Sequence, residues 1–279
     1  MSNKIKNSWL MVKASAQVLK SDKELVVFPI ISSLAVILIT VLFALPVLLK
    51  GNLDKGSFGF NTSNLPILFI YYFLIYFVII YFNSALVSAA IIRLKGGNPT
   101  LSDGIKIASS HISSIIGYAL ISSTVGIILR WVQEKLGIFG KIFAFISNFA
   151  WNIVTFLVIP ILVTEGIGPI DAVKRSSNLL KKTWGEQLIG NIGIGLLSGL
   201  LFLGLLILFL PIAIYTSIEG MYMMTTSLCV IFGIAVIMLI ITASTLNTIY
   251  TAALYRYASE GIVSDNFNEN ILRNSFRQK

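Results

Sequence analysis

The chain has 279 residues, 56% of them apolar and only 12% charged, with a net charge of +9 and a mean hydropathy of +0.87. A water-soluble domain carries about twice that charged fraction, so a soluble globule is excluded. The single cysteine, Cys229, rules out a disulfide framework or a cysteine metal site.

Taken in chain order, the sequence opens on an amphipathic helix. Ile5, Trp9, Val12, Ala16 and Leu19 fall on one helical face. Lys6, Lys13 and Lys20 run beside it, where their ammonium groups reach lipid headgroups while their stems cover apolar surface. The first apolar run, Val26–Leu49, is too long for a signal-peptide core and lacks an A-x-A site, so it is expected to stay as an anchor. The second, Leu65–Ile92, carries aromatics along its whole length in YYFLIYFVIIYF (71–82), unlike an interfacial belt. GGNP (96–99) ends it. A second short amphipathic helix follows, with Leu101, Ile105, Ala108 and Ile112 on its face, Thr100 as N-cap and Asp103 in its first turn.

Two further runs, Ile112–Leu129 and Ile142–Val163, are joined by RWVQEKLGIFGK, which either continues the helix or lies along the interface. After GIGP (166–169) comes a third short helix, with Pro169 in its first turn and Asp171 complementing the dipole. Its Val173, Leu180 and Trp184 face inward, and Lys174, Arg175, Lys181 and Lys182 are set to meet headgroups. The last runs are Leu188–Tyr215, whose Gly195 and Gly199 suit close helix packing, and Ser227–Leu254. About 20 apolar residues cross a bilayer, and a lone segment in hydrocarbon satisfies its backbone as a helix. The expected fold is therefore an all-α polytopic membrane protein: six transmembrane helices and three amphipathic inner-face helices in one domain, 1–261, then a polar cytoplasmic tail, 262–279.

With the N-terminus taken as cytoplasmic, sixteen of the 21 Lys and Arg residues lie in inside segments. This bias places both termini in the cytoplasm. The basic charge then reads as attraction to anionic headgroups, about 1 kcal/mol per residue near the surface, and nucleic acid is not an expected partner.

The short helices resemble one another. DGIKIASS (103–110) aligns with DAVKRSSN (171–178), and VKASAQVLK (12–20) with VKRSSNLLK (173–181). SAAIIR (88–93) matches TAALYR (251–256), and TEG (164–166) matches SEG (259–261). The order of these matches points to a threefold internal repeat with units at about 5–97, 99–166 and 169–261, each an amphipathic elbow followed by two spans.

KNSWLMVKASAQVLKSDKELVVFPI, LVIPILVTEGIGPIDAVKRSSNLLKKTW and TIYTAALYRYASEG together resemble a family of prokaryotic six-span membrane proteins of unassigned function. More distantly they resemble the YciC-like group and the membrane domain attached to some glycerophosphodiester phosphodiesterases. The resemblance spans roughly 7–261 and implies the fold and a setting in the plasma (inner) membrane of a prokaryote. It carries over no catalytic residue.

Chemistry is sparse. No phosphate-binding or zinc-protease motif occurs, and His111 sits where a capping histidine would. None of the twelve acidic residues lies mid-span, which counts against a proton-coupled pump. Arg93, Glu165, Arg256 and Glu260 lie at inner boundaries, suited to headgroup anchoring or mutual pairing. Polar residues mark helix faces that should turn inward: Asn83; Asn148, Asn152 and Thr155; Asn191; Asn247 and Thr251. They either bond helix to helix or line a hydrated path. The expectation is a non-catalytic accessory or scaffold protein that associates with lipid, other membrane proteins or its own copies. The alternative is a passive channel or transporter component for a small polar or anionic solute. No enzyme activity, cofactor or metal is expected.

Overall fold

A computed structural model describes residues 2–49, 65–183 and 190–261. Every element there is helical. The elements are α1 (Ser2–Ser21), α2 (Val27–Leu49), α3 (Leu65–Leu94), α4 (Leu101–Ser110), α5 (Ile112–Lys135), α6 (Gly137–Val154), α7 (Val158–Glu165), α8 (Pro169–Thr183), α9 (Gly190–Ile218) and α10 (Tyr222–Glu260). A 3-10 turn, Lys23–Val26, leads into α2. Six helical stretches among the described residues are long and apolar enough to cross a membrane, α6 and α7 together forming the fourth. The chain is a multi-pass membrane protein. Trp184 and the tail 262–279 lie outside the described residues, as do the side chains of Lys6, Lys182 and Asn191.

The three short helices form as their sequences require. Thr100 caps α4 in a capping box: its hydroxyl accepts the Asp103 N–H, and the Asp103 carboxylate accepts the Thr100 N–H at 2.9 Å. Those bonds hold the Asp103 carboxyl below the usual carboxylate range. Pro169 opens α8 as expected. Gly166 and Gly261 end α7 and α10 at φ 64° and 68°, left-handed positions that a Cβ would strain. The RWVQEKLGIFGK segment divides between two helices. The turn falls at Leu136 and Gly137, whose φ of 54° reverses the chain.

The elbows sit at one end of the bundle, and each packs on the second span of a neighbouring hairpin. α4 lies on α3, α8 on α7, and α1 on α9 and α10, which closes the ring. Because α1 docks into the bundle, its buried face is wider than its apolar stripe. Val12, Ala14, Ser15 and Val18 are all buried, while Ala16 and Leu19 are only half-buried. At the aligned position each elbow carries a fully buried small residue: Ser15, Ala108 and Ser176.

The core is concentrated on this elbow side. Phe28, Leu86, Ile115, Leu162, Ile249 and Leu254 are buried there, whereas Leu34, Phe145, Ile207 and Ile231, farther out, are more than half exposed. In a membrane those faces meet lipid. The 39 residues of α10 reach about 58 Å at 1.5 Å per residue, and only the segment from Ile241 to Arg256 is buried in protein. Close packing at glycine occurs at a position without any spacing motif. A Cβ on Gly104 would lie 2.7 Å from the Ala85 carbonyl oxygen and the Phe28 ring. Gly195 and Gly199, expected at a tight helix contact, have nothing within 4 Å of such a Cβ. They line a groove between α9 and α10, and farther out Phe209 and Phe232 stack at 4.2 Å across the pair.

Candidate functional site

The fourth span is broken. α6 ends at Val154, α7 begins at Val158, and residues 155–157 turn between them. Thr155 lies ten residues from Glu165 at the elbow end, about 15 Å along the axis, or about half the depth of a hydrocarbon core. Pro160 contributes to the break, since it has no N–H to donate to the carbonyl four residues before it. The Leu157 N–H finds its acceptor outside its own helix, donating to the Ser176 hydroxyl of α8 at 3.2 Å. Both residues are fully buried. Irregular backbone at membrane depth is tolerated only where protein surrounds it or where it lines a cavity, and here both conditions hold.

The cavity, of about 510 Å³, lies between α3, α5, the broken span and α10. Asn83, Asn152, Thr155, Asn247, Thr248 and Thr251 provide its polar wall, with Tyr118 from α5. Phe149, Ile153, Phe156 and Ile159 provide the apolar wall. The Thr248 hydroxyl donates to the Asn83 side-chain amide oxygen at 3.0 Å. The Asn247 side-chain amide oxygen is buried without a hydrogen-bond partner. No charged residue lines the cavity. Asn83 also borders a groove against α2, and Asn247 the groove against α9, so the two amides stand where the clefts of the bundle meet.

Of the polar residues read from the sequence, Asn83, Asn152, Thr155, Asn247 and Thr251 therefore come together. Asn148 does not. It is exposed on α6, one turn outward from Asn152 and outside the lining, because the cavity follows the break rather than the whole helical stripe. Thr248 and Tyr118 complete the wall. Thr248 is visible in the sequence as a neighbour of Asn247, while Tyr118 gives no signal apart from its hydroxyl.

At the elbow end the boundary charges tie helix ends together. Arg256 is 5% exposed, and its side chain donates to the Leu94 carbonyl at the end of α3 at 2.6 Å, as well as to Glu260 at 3.4 Å. Arg93 donates to the Ser21 carbonyl at the end of α1 at 3.3 Å. Glu165 pairs with Arg175 at 3.3 Å and accepts from the Tyr255 hydroxyl at 3.1 Å. Burial pushes the Asp22 carboxyl up, opposed in part by a hydrogen bond from the Glu24 backbone N–H and by the Arg93 guanidinium. His111 joins α4 to α5, its Nδ1 3.0 Å from the Ile107 carbonyl. Lys13, Lys20, Lys174, Arg175 and Lys181 are exposed on the elbow helices. Among the described residues no three His, Cys, Asp or Glu side chains gather as a metal site would require.

The chain belongs to DUF6159, a family of unknown function whose model matches residues 62–265. That region includes the cavity, the broken span and the second and third elbows. No curated protein matches the chain significantly.

Proposed function

We propose that this protein is a non-catalytic membrane component that takes a small uncharged polar group into its interior cavity, as a channel or carrier subunit would. The observation that carries this reading is the broken fourth span at half-membrane depth, opening on a wall of Asn83, Asn152, Thr155, Asn247 and Thr248. Broken helices that line a polar cavity near the midplane are a recurrent construction of transporter sites. A wall without charge favours a neutral guest over an anion, since a buried anion needs a paired cation. The same reading places the protein in a prokaryotic plasma membrane with both termini and all three elbows in the cytoplasm, following the bias of its Lys and Arg residues. There Lys13, Lys20, Lys174 and Lys181 meet anionic headgroups. It also takes the elbow-and-hairpin units as three copies of one ancestor, supported by the buried small residue at the aligned place in each elbow.

One observation favours the scaffold reading: Asn148 is exposed on α6 at membrane depth, where an amide gains from a polar partner on a second copy or another membrane protein. Thiol labelling separates the two readings. In a Cys229→Ser background, single cysteines replace Asn152, Thr155, Asn247 and, as a lipid-facing control, Ile207. A membrane-impermeant charged thiol reagent is then added from either side. Reaction at the three cavity positions but not at 207 supports a hydrated cavity. Silence at all three in folded protein sinks it, and disulfide formation between copies of a further variant, Asn148→Cys in the same background, would favour the scaffold.

A further inference from the structure

We propose that the cavity takes its guest from the bilayer: a neutral amphiphile whose hydroxyl or carboxamide head is held by Asn83, Asn247 and Thr248 while its chain leaves past Asn152 and Phe149. This rests on the reading that the cavity binds a ligand, and it names the ligand's class and its route.

Three observations converge on that class. The lining is mixed: Asn83, Asn247, Thr248 and Thr251 on α3 and α10 face a fourth span that sets Phe149, Ile153, Phe156 and Ile159 beside Asn152 and Thr155. An amphiphile matches both walls, whereas a wholly polar solute would leave the aromatic side uncompensated. The polar wall has unmet capacity, because the Asn247 side-chain amide oxygen is buried without a donor. A turn of that amide toward the cavity would let a head that donates a hydrogen bond satisfy it. Carboxylate or phosphate heads are disfavoured, since no cation lines the site.

The route follows from exposure. Phe149 is 58% exposed and continues the lipid-facing surface of Phe145 and Ile146, at 73% and 60%. Asn152, one turn away and also in the lining, is exposed as well. It sits near the middle of the Gly137–Glu165 span. An amide facing hydrocarbon without a partner is costly, since nothing there replaces its bonds to water. A mouth at that depth, edged by one amide and one phenyl ring, suits a molecule that is itself half polar and half apolar.

The test uses the full chain in lipid nanodiscs and hexadecanol carrying a photoactivatable diazirine near its hydroxyl end, with adducts mapped by peptide mass spectrometry. Adducts are expected within 149–159 and 244–251, displaced by unlabelled hexadecanol and untouched by excess urea or glycerol. Asn247→Leu, and separately the near-isosteric Thr248→Val, should each lower labelling about fivefold, the effect of losing one neutral hydrogen bond. Labelling spread evenly over lipid-facing stretches such as 34–42 and 200–208, or unchanged in both variants, overturns the proposal. Displacement by urea or glycerol also overturns it, but leaves a ligand cavity that is fed from water. Absence of site-specific adducts together with unreactive thiols at 152, 155 and 247 removes the cavity reading as well. Cross-linking of two copies through position 148 that blocks labelling would assign the mouth to self-association instead.

Discussion

Replacing Ser176 by alanine tests whether the third elbow holds the break in the fourth span open. In the native protein the Leu157 N–H donates to the Ser176 hydroxyl at 3.2 Å, and neither residue is exposed to any extent. Alanine keeps the helix propensity of α8 and removes only the acceptor. A buried N–H left without a partner costs about 1–3 kcal/mol, and protein on every side prevents water from taking the place of the hydroxyl. The assay is reversible unfolding in dodecyl maltoside titrated with sodium dodecyl sulfate. Asn178→Ala, on the exposed side of the same helix, serves as reference and should change stability by no more than about 0.5 kcal/mol. Amide exchange at Leu157 should quicken in Ser176→Ala by more than at any residue of α8. If Ser176→Ala unfolds with Asn178→Ala and exchange at Leu157 is unchanged, the break is held by other contacts and the reasoning fails.

Other substitutions probe the remaining joints. Arg256→Met removes the donor to the Leu94 carbonyl and should cost about 2–4 kcal/mol in the same unfolding assay. Gly104→Ala forces a Cβ to 2.7 Å from the Ala85 carbonyl oxygen and the Phe28 ring; the loss should be about 1–3 kcal/mol. The cap on α4 should depend on pH. The folded Asp103 carboxyl titrates below its ordinary 3.8, so its stabilisation is complete above that value and is lost as pH falls through the lower folded value. Amide exchange at 101–104 should lose protection over that range, and Asp103→Asn should abolish the dependence. Asp22 has the opposite sign. Its carboxyl is raised by burial, so the ionised form costs stability at neutral pH and protonation relieves that cost as pH falls. Asp22→Asn should therefore stabilise at pH 7 by an amount that shrinks on acidification.

Much of the architecture is decided within single segments. Apolar runs of bilayer length, the Lys stripe beside Val12 and Leu19, the Thr100–Asp103 cap and Pro169 at the start of α8 all depend on a residue and its near neighbours. Chain composition and a 3.6-residue period are therefore enough to specify six spans and three surface helices. The local signals fail where the outcome depends on which helices meet. Asn148, Asn152 and Thr155 share one sequence stripe, yet only the last two line the cavity, because the cavity gathers at the break in the span and does not extend one turn farther out along α6. Gly195 and Gly199 carry the spacing of a tight helix pair and border an open groove instead. Ser176 looks like any serine on a basic helix until α8 is laid against Leu157, 19 residues earlier in the chain. A helix period reports which residues share a face. Whether that face finds another helix, a cavity or lipid is settled by contacts between distant segments, and only the folded bundle contains them.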